Sequence, residues 1–165
     1  MNLLRRPLVA AYAVIVLSSC AFSRPTKLPA PIPAHVSAAR FQSLRWLEGR
    51  WRGTTETGTP FYEDYRLVDD STIRSLSLAD SAGGEAKDSN IVRLSSAAIF
   101  LTGGTSLWVA TVVTDTRLHF EPIKGATNSF TWVSESPDAW TATLAPRAGQ
   151  RAQPATVYHM QRIGS

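Results

Sequence analysis

From residue 50 to the C-terminus, apolar and polar side chains alternate with a period of two, and glycine, proline or aspartate interrupts the alternation at short intervals. Period two places successive side chains on opposite faces of an extended chain, so the pattern predicts strands. The predicted spans are Arg50–Glu56, Phe61–Val68, Ser71–Ala79, Ser89–Leu94, Ala97–Thr102, Leu107–Thr114, Arg117–Pro122, Ser129–Ser134, Trp140–Ala145 and Thr156–Ile163. Turns are expected at Gly58, Asp69-Asp70, Gly83-Gly84, Ser95-Ser96, Gly103-Gly104, Asp115, Gly125, Pro137-Asp138 and Gly149, where these residue types supply tight backbone geometry. No helical crossover separates the strands, so they should pair antiparallel in chain order. A sheet this wide curls and closes, which removes its exposed edges. The expected fold is all-β: a closed or nearly closed up-and-down barrel of nine or ten strands.

One helical segment precedes the strands. Ser37 can cap it, Ala38, Phe41, Leu44 and Leu47 or Trp46 give it an apolar face, and Gly49 is its expected stop. Such a short helix reads as a plug on something larger.

Upstream the pattern changes twice. Ala21 to Val36 holds Pro25, Pro29, Pro31 and Pro33 among small and polar residues, without hydrophobic period. It should be an extended spacer reaching roughly 50 Å if wholly free. His35 belongs to it and reads as solvated. Residues 1–19 run from Arg5 and Arg6 through an apolar stretch, Leu8 to Leu17, to Ser18 and Ser19. That is the order of an export signal, too short for a comfortable membrane span. Three parts follow: a signal at 1–19, a tether at 20–36 and a barrel domain at 37–165.

Leu17-Ser18-Ser19-Cys20 resembles the lipobox of bacterial lipoproteins. The resemblance implies that Cys20 begins the mature chain and carries lipid, making the membrane its partner. Cys20 is the only cysteine, so it cannot form an intramolecular disulfide. Ala21, not aspartate, follows it, which in the Gram-negative sorting pattern implies the outer membrane, facing the periplasm. The alternative is an ordinary cleaved signal with a leftover thiol.

Composition narrows function. The formal charge of +4 includes Arg5 and Arg6, and without them 15 basic residues face 13 acidic ones. The remaining arginines are scattered, so a nucleic-acid partner is not expected. Only His119 and His159 lie in the barrel region, and no His-x-His or cysteine pair exists, so neither metal nor other cofactor is assigned. A nitrobindin-like haem site would need one axial histidine, and this reading is not favoured. A Gly-x-Ser-x-Gly elbow is absent, and adjacent Glu63 and Asp64 point to opposite faces of a strand. No catalytic residue is assigned, and the reading leans away from an enzyme.

Trp46-Leu47-Glu48-Gly49-Arg50-Trp51-Arg52-Gly53, followed by this strand series, resembles the calycin group: lipocalins, fatty-acid-binding proteins and nitrobindin-like barrels. It is most similar to bacterial lipocalin-like domains of unknown function, with Phe61-Tyr62-Glu63-Asp64-Tyr65 as the acidic and aromatic second strand. Phe120-Glu121-Pro122, continuing to Ser129-Phe130-Thr131-Trp132, resembles a later motif of those domains. Their His-Asp-Phe-Pro run is replaced here by Ile123-Lys124-Gly125-Ala126, so its role does not carry over. The resemblance implies that Trp51 packs across the closed barrel end with Arg162 over its ring.

Alternate residues of each strand line a barrel. The lining expected here is Glu63, Tyr65, Arg74, Arg93, Trp108, Phe130, Trp132 and Tyr158. A few polar groups in an apolar cavity describe a small-molecule site. The alternative is a solid barrel in which Glu63 pairs with an arginine. The expected function is reversible binding of a small apolar or amphipathic ligand; its rival is a non-enzymatic envelope module that contacts other proteins. No oligomeric state is assigned.

Overall fold

Ten antiparallel strands pair in chain order, and the first also pairs with the last, so the sheet closes into an up-and-down barrel. The computed structural model describes residues 29–164 except 56, 85 and 148–153. The signal at 1–19, Cys20 and the first part of the tether lie outside the described residues. The strands are β1 (Gly49–Thr54), β2 (Pro60–Asp69), β3 (Thr72–Leu78), β4 (Ala86–Ser95), β5 (Ala98–Gly103), β6 (Ser106–Val113), β7 (Arg117–Lys124), β8 (Asn128–Ser136), β9 (Ala139–Pro146) and β10 (Thr156–Arg162). Several outrun the apolar alternation that predicts them. Polar Asp88 belongs to β4 because it pairs with Ser77 of β3, and ladder hydrogen bonds hold residues whose own strand preference is weak.

The helical segment splits in two. Helix α1 (Ala38–Gln42) starts where the Ser37 hydroxyl accepts from the Arg40 amide at 3.1 Å, a side-chain N-cap. A 3-10 turn over Ser43–Leu47 continues it. Phe41, Leu44 and Leu47 are buried and point into the core cluster that Trp51 and Trp140 share.

This plug and the residues that flank it in space are fastened to the hairpin turns at their end of the barrel. Gln42 Nε2 donates to the Asp70 carbonyl (2.7 Å) in the β2–β3 turn. Arg40 forms an ion pair with Asp115 in the β6–β7 turn. The Val36 amide donates to the Ala97 carbonyl (2.8 Å) in the β4–β5 turn. Arg162 donates to the Pro137 carbonyl (3.0 Å) in the β8–β9 turn and to the Glu48 carbonyl (2.6 Å) just after the plug.

Gly49 does not stop the helix. Glu48 already has extended ψ, and Gly49 is the first residue of β1, with φ +121°. A Cβ there would lie 2.2 Å from Arg162 Nη1. Glycine is needed because the guanidinium crosses the strand entry at this point.

The second half of the tether is not a free spacer. Ala34 donates its amide to the Ala110 carbonyl (2.9 Å), Val36 is buried, and Arg147 Nη2 donates to the Pro29 carbonyl (2.6 Å). Prolines leave few backbone donors for a sheet, yet the intervening alanine and valine amides dock beside β6, where β5 no longer pairs with it. Pro29–Val36 thus crosses the outer wall, from Arg147 just past the open end of β9 to the plugged end at Ala97. Glu121 holds Arg147 in place at 3.8 Å and also accepts from or pairs with His119 at 3.0 Å.

Candidate functional site

Above the plug the barrel interior stays open. A cavity of about 450 Å³ begins at buried Trp140 and Met160 and runs to a mouth between Thr55, Phe61, Leu144 and Tyr158. Strand parity determines what it sees. On β2, Phe61, Glu63 and Tyr65 face inward while Asp64 and Arg66 face outward and bond each other, with Arg66 Nε at 2.9 Å from Asp64 Oδ2.

Six of the eight expected lining residues meet there: Glu63, Tyr65, Trp108, Phe130, Trp132 and Tyr158. Arg74 and Arg93 do not. Both are exposed on the outer face, because buried Ile73 and Ser75 carry the inward face of β3, and buried Val92 that of β4. The sequence is ambiguous at these strands for a physical reason. Leu76 and Leu78 share the face of Arg74, and Ile91 shares that of Arg93, so alternation alone allows either side.

Trp140, Phe61, Ser75 and Asn90 also line the cavity and are absent from the sequence-derived set. Phe61 has the same parity as Glu63, a signal available in the sequence. Its ring lies over Gly53, its direct cross-strand partner, which only a residue without a side chain permits. On β6 a bulge between Ala110 and Val112 reverses the parity. Trp108 and Ala110 face in before it, whereas Val113 packs on the core after it and Val112 is exposed. That reversal accounts for Val113 on the inner side, while Val109, of outward parity, is fully buried as well, so both faces of this strand read as apolar.

The floor is aromatic. Trp132 packs edge-to-face on Tyr65, Phe120 and Trp140 at centroid distances of 6.1, 5.2 and 5.7 Å. Beneath, the Arg162 guanidinium lies 4.2 Å from the Trp51 ring centroid, and Trp51 Nε1 donates to the Leu47 carbonyl at 2.8 Å. These two strand residues close the barrel end against the plug and do not line the cavity.

Polar chemistry inside the cavity centres on one pair. Tyr65 Oη donates to Glu63 Oε2 at 2.9 Å. Burial raises the Glu63 carboxyl above its ordinary value, and the tyrosine hydrogen bond offsets part of that rise. Burial also drives the Tyr65 phenol well above its ordinary value, with the Glu63 charge adding to the effect. Tyr65 therefore keeps its proton and acts as a donor. Trp108 Nε1 is occupied by the Asn128 carbonyl at 2.9 Å. Among the described residues no three His, Cys, Asp or Glu side chains gather as metal ligands would.

The fold and this interior define the protein's class: a closed ten-stranded antiparallel barrel, plugged at one end and open to an aromatic cavity at the other. No protein-family model matches the chain, and no curated protein does. Among solved structures, Rv2717c from M. tuberculosis is 18% identical, with 78% of this chain and 99% of that one covered at a TM-score of 0.46. A redesigned beta barrel is 12% identical, with 72% of this chain and 93% of that one covered at a TM-score of 0.35. The class rests on this chain's own closed sheet.

Proposed function

We propose that the protein is an envelope lipoprotein whose barrel reversibly holds one small apolar or amphipathic molecule. The observation that carries the binding reading is the cavity of about 450 Å³. It falls within the size range of small-molecule sites, and its lining is mostly aromatic and aliphatic with few polar groups. The rival reading, an interaction module with a solid barrel, lacks the filled interior it needs.

The anchoring half of the reading rests on the Leu17-Ser18-Ser19-Cys20 resemblance. Docking of Pro29–Val36 on the wall shortens the possible reach: the nine residue spacings from Cys20 to Pro29 can span at most about 30 Å. The lipid would hold the barrel close to the bilayer, on the outer membrane's periplasmic face.

Native mass spectrometry of protein extracted from its own host tests binding. A co-purifying small molecule, released on denaturation, is the expected result. No such molecule, together with no melting shift across a lipid and metabolite panel, would refute it. Cys20→Ala tests anchoring: the variant should leave the membrane fraction, and unchanged fractionation would exclude lipidation as the anchor.

A further inference from the structure

We infer that the cavity selects an organic cation, an apolar body carrying one ammonium group that sits against Glu63. The inference rests on the ligand-binding reading above and adds the charge of the ligand. Three observations lead to it.

The first is the missing positive charge. Fatty carboxylates need a buried cation or several donors to leave water, because an unpaired carboxylate is expensive to bury. Arg74 and Arg93 lie on the outer face, and Arg162 is committed beneath Trp51 to the Glu48 and Pro137 carbonyls. Among the described residues, no lysine or arginine lines the cavity.

The second is the unspent valence. Tyr65 gives its one proton to Glu63 Oε2, and Trp108 gives its N–H to Asn128. Glu63 Oε1 has no hydrogen-bond partner among the described residues, and no basic side chain there pairs with Glu63. Ser75 and Asn90 add only neutral groups to the lining, so the strongest group left to a ligand is an anionic acceptor, and its natural complement is a cationic donor.

The third is the wall. Trp108, Phe130, Trp132 and Trp140 line the same cavity as this carboxylate. Aromatic rings attract ammonium groups through their quadrupoles, most strongly when water is excluded. Carboxylate and rings together offset the desolvation that either would leave uncompensated.

Three probes with the same chain separate the possibilities: decylammonium, decanol and decanoate, each titrated into the full-length protein by calorimetry below its micelle concentration. The expected order is decylammonium tightest, by about tenfold over decanol, with decanoate weakest. Glu63→Gln should remove that preference, bringing decylammonium to within about twofold of decanol in the same variant. Decanoate binding as tightly as decylammonium would overturn the charge assignment while leaving a binding barrel in place. A preference for decylammonium that survives in Glu63→Gln would overturn the role of Glu63. If none of the three binds, both this inference and the binding reading fall.

Discussion

Arg162 is the residue whose loss should separate the plug from the barrel. Its guanidinium joins three elements: the ring of Trp51 in β1 at 4.2 Å, the Glu48 carbonyl after the 3-10 turn at 2.6 Å, and the Pro137 carbonyl in the β8–β9 turn at 3.0 Å. Replacing it with methionine keeps most of the apolar stem and removes the charge and donors. The half-buried bond to Glu48 has a charged donor, and losing it costs about 2 kcal/mol. The stacking on Trp51 adds about 1 kcal/mol. Asp138, largely exposed at 3.3 Å, adds little because solvent screens it. Arg162→Met should therefore destabilise the protein by roughly 3 kcal/mol. In urea unfolding followed by tryptophan fluorescence, an m-value of about 2 kcal/mol per molar turns this into a midpoint lower by about 1.5 M. Arg162→Lys should recover less than half, since a point charge cannot stack and reach both carbonyls. A midpoint for Arg162→Met within about 0.3 M of wild type would refute the argument and leave the guanidinium as surface decoration.

Three further outcomes follow from the same structure. Gly49→Ala should cost about 2 kcal/mol, from its φ of +121° and the clash with Arg162 Nη1; in an Arg162→Met background the cost should shrink by about 1 kcal/mol, read as coupling in a double-mutant cycle. Glu63→Gln should raise the melting temperature by a few degrees at neutral pH, because a carboxyl raised by burial opposes folding when ionised. That penalty is full above the folded-state value of Glu63 and vanishes as pH falls below its ordinary value, so the gain should disappear in acid; a gain that grows in acid would reverse the sign of the argument. Ala97→Gly should stabilise by about 1 kcal/mol, since Ser96 and Ala97 both hold positive φ (49° and 57°) in the β4–β5 turn. An unchanged urea midpoint would show that the turn is relaxed as it stands.

Much of the architecture was legible because it depends on local order. The alternation from residue 50 onward and the turn residues between runs specify strands, and short turns specify antiparallel neighbours, so a meander wide enough to close follows from the chain alone. Ser37 as a helix cap and Trp51 as a residue of the closed end belong to the same kind of reading, since each depends on neighbours close in sequence or on a stretch with a recognisable order.

What the chain could not declare depends on contacts between distant residues. Arg74 and Arg93 stand outside because β3 and β4 bury Ile73, Ser75 and Val92, a choice their leucines and isoleucine leave open. The β6 bulge sets that Val113 and not Val112 packs on the core, and only pairing with β7 creates it. Pro29–Val36 reads as a spacer until its few free amides find Ala110 and Ala97, two carbonyls that become available where β5 and β6 part. Gly49 reads as a helix stop until Arg162, far along the chain, crosses it. Period two gives each strand two faces, and the sequence names both. Closure of the barrel decides which one sees the cavity, and so leaves Glu63 among aromatic rings with no cation beside it among the described residues.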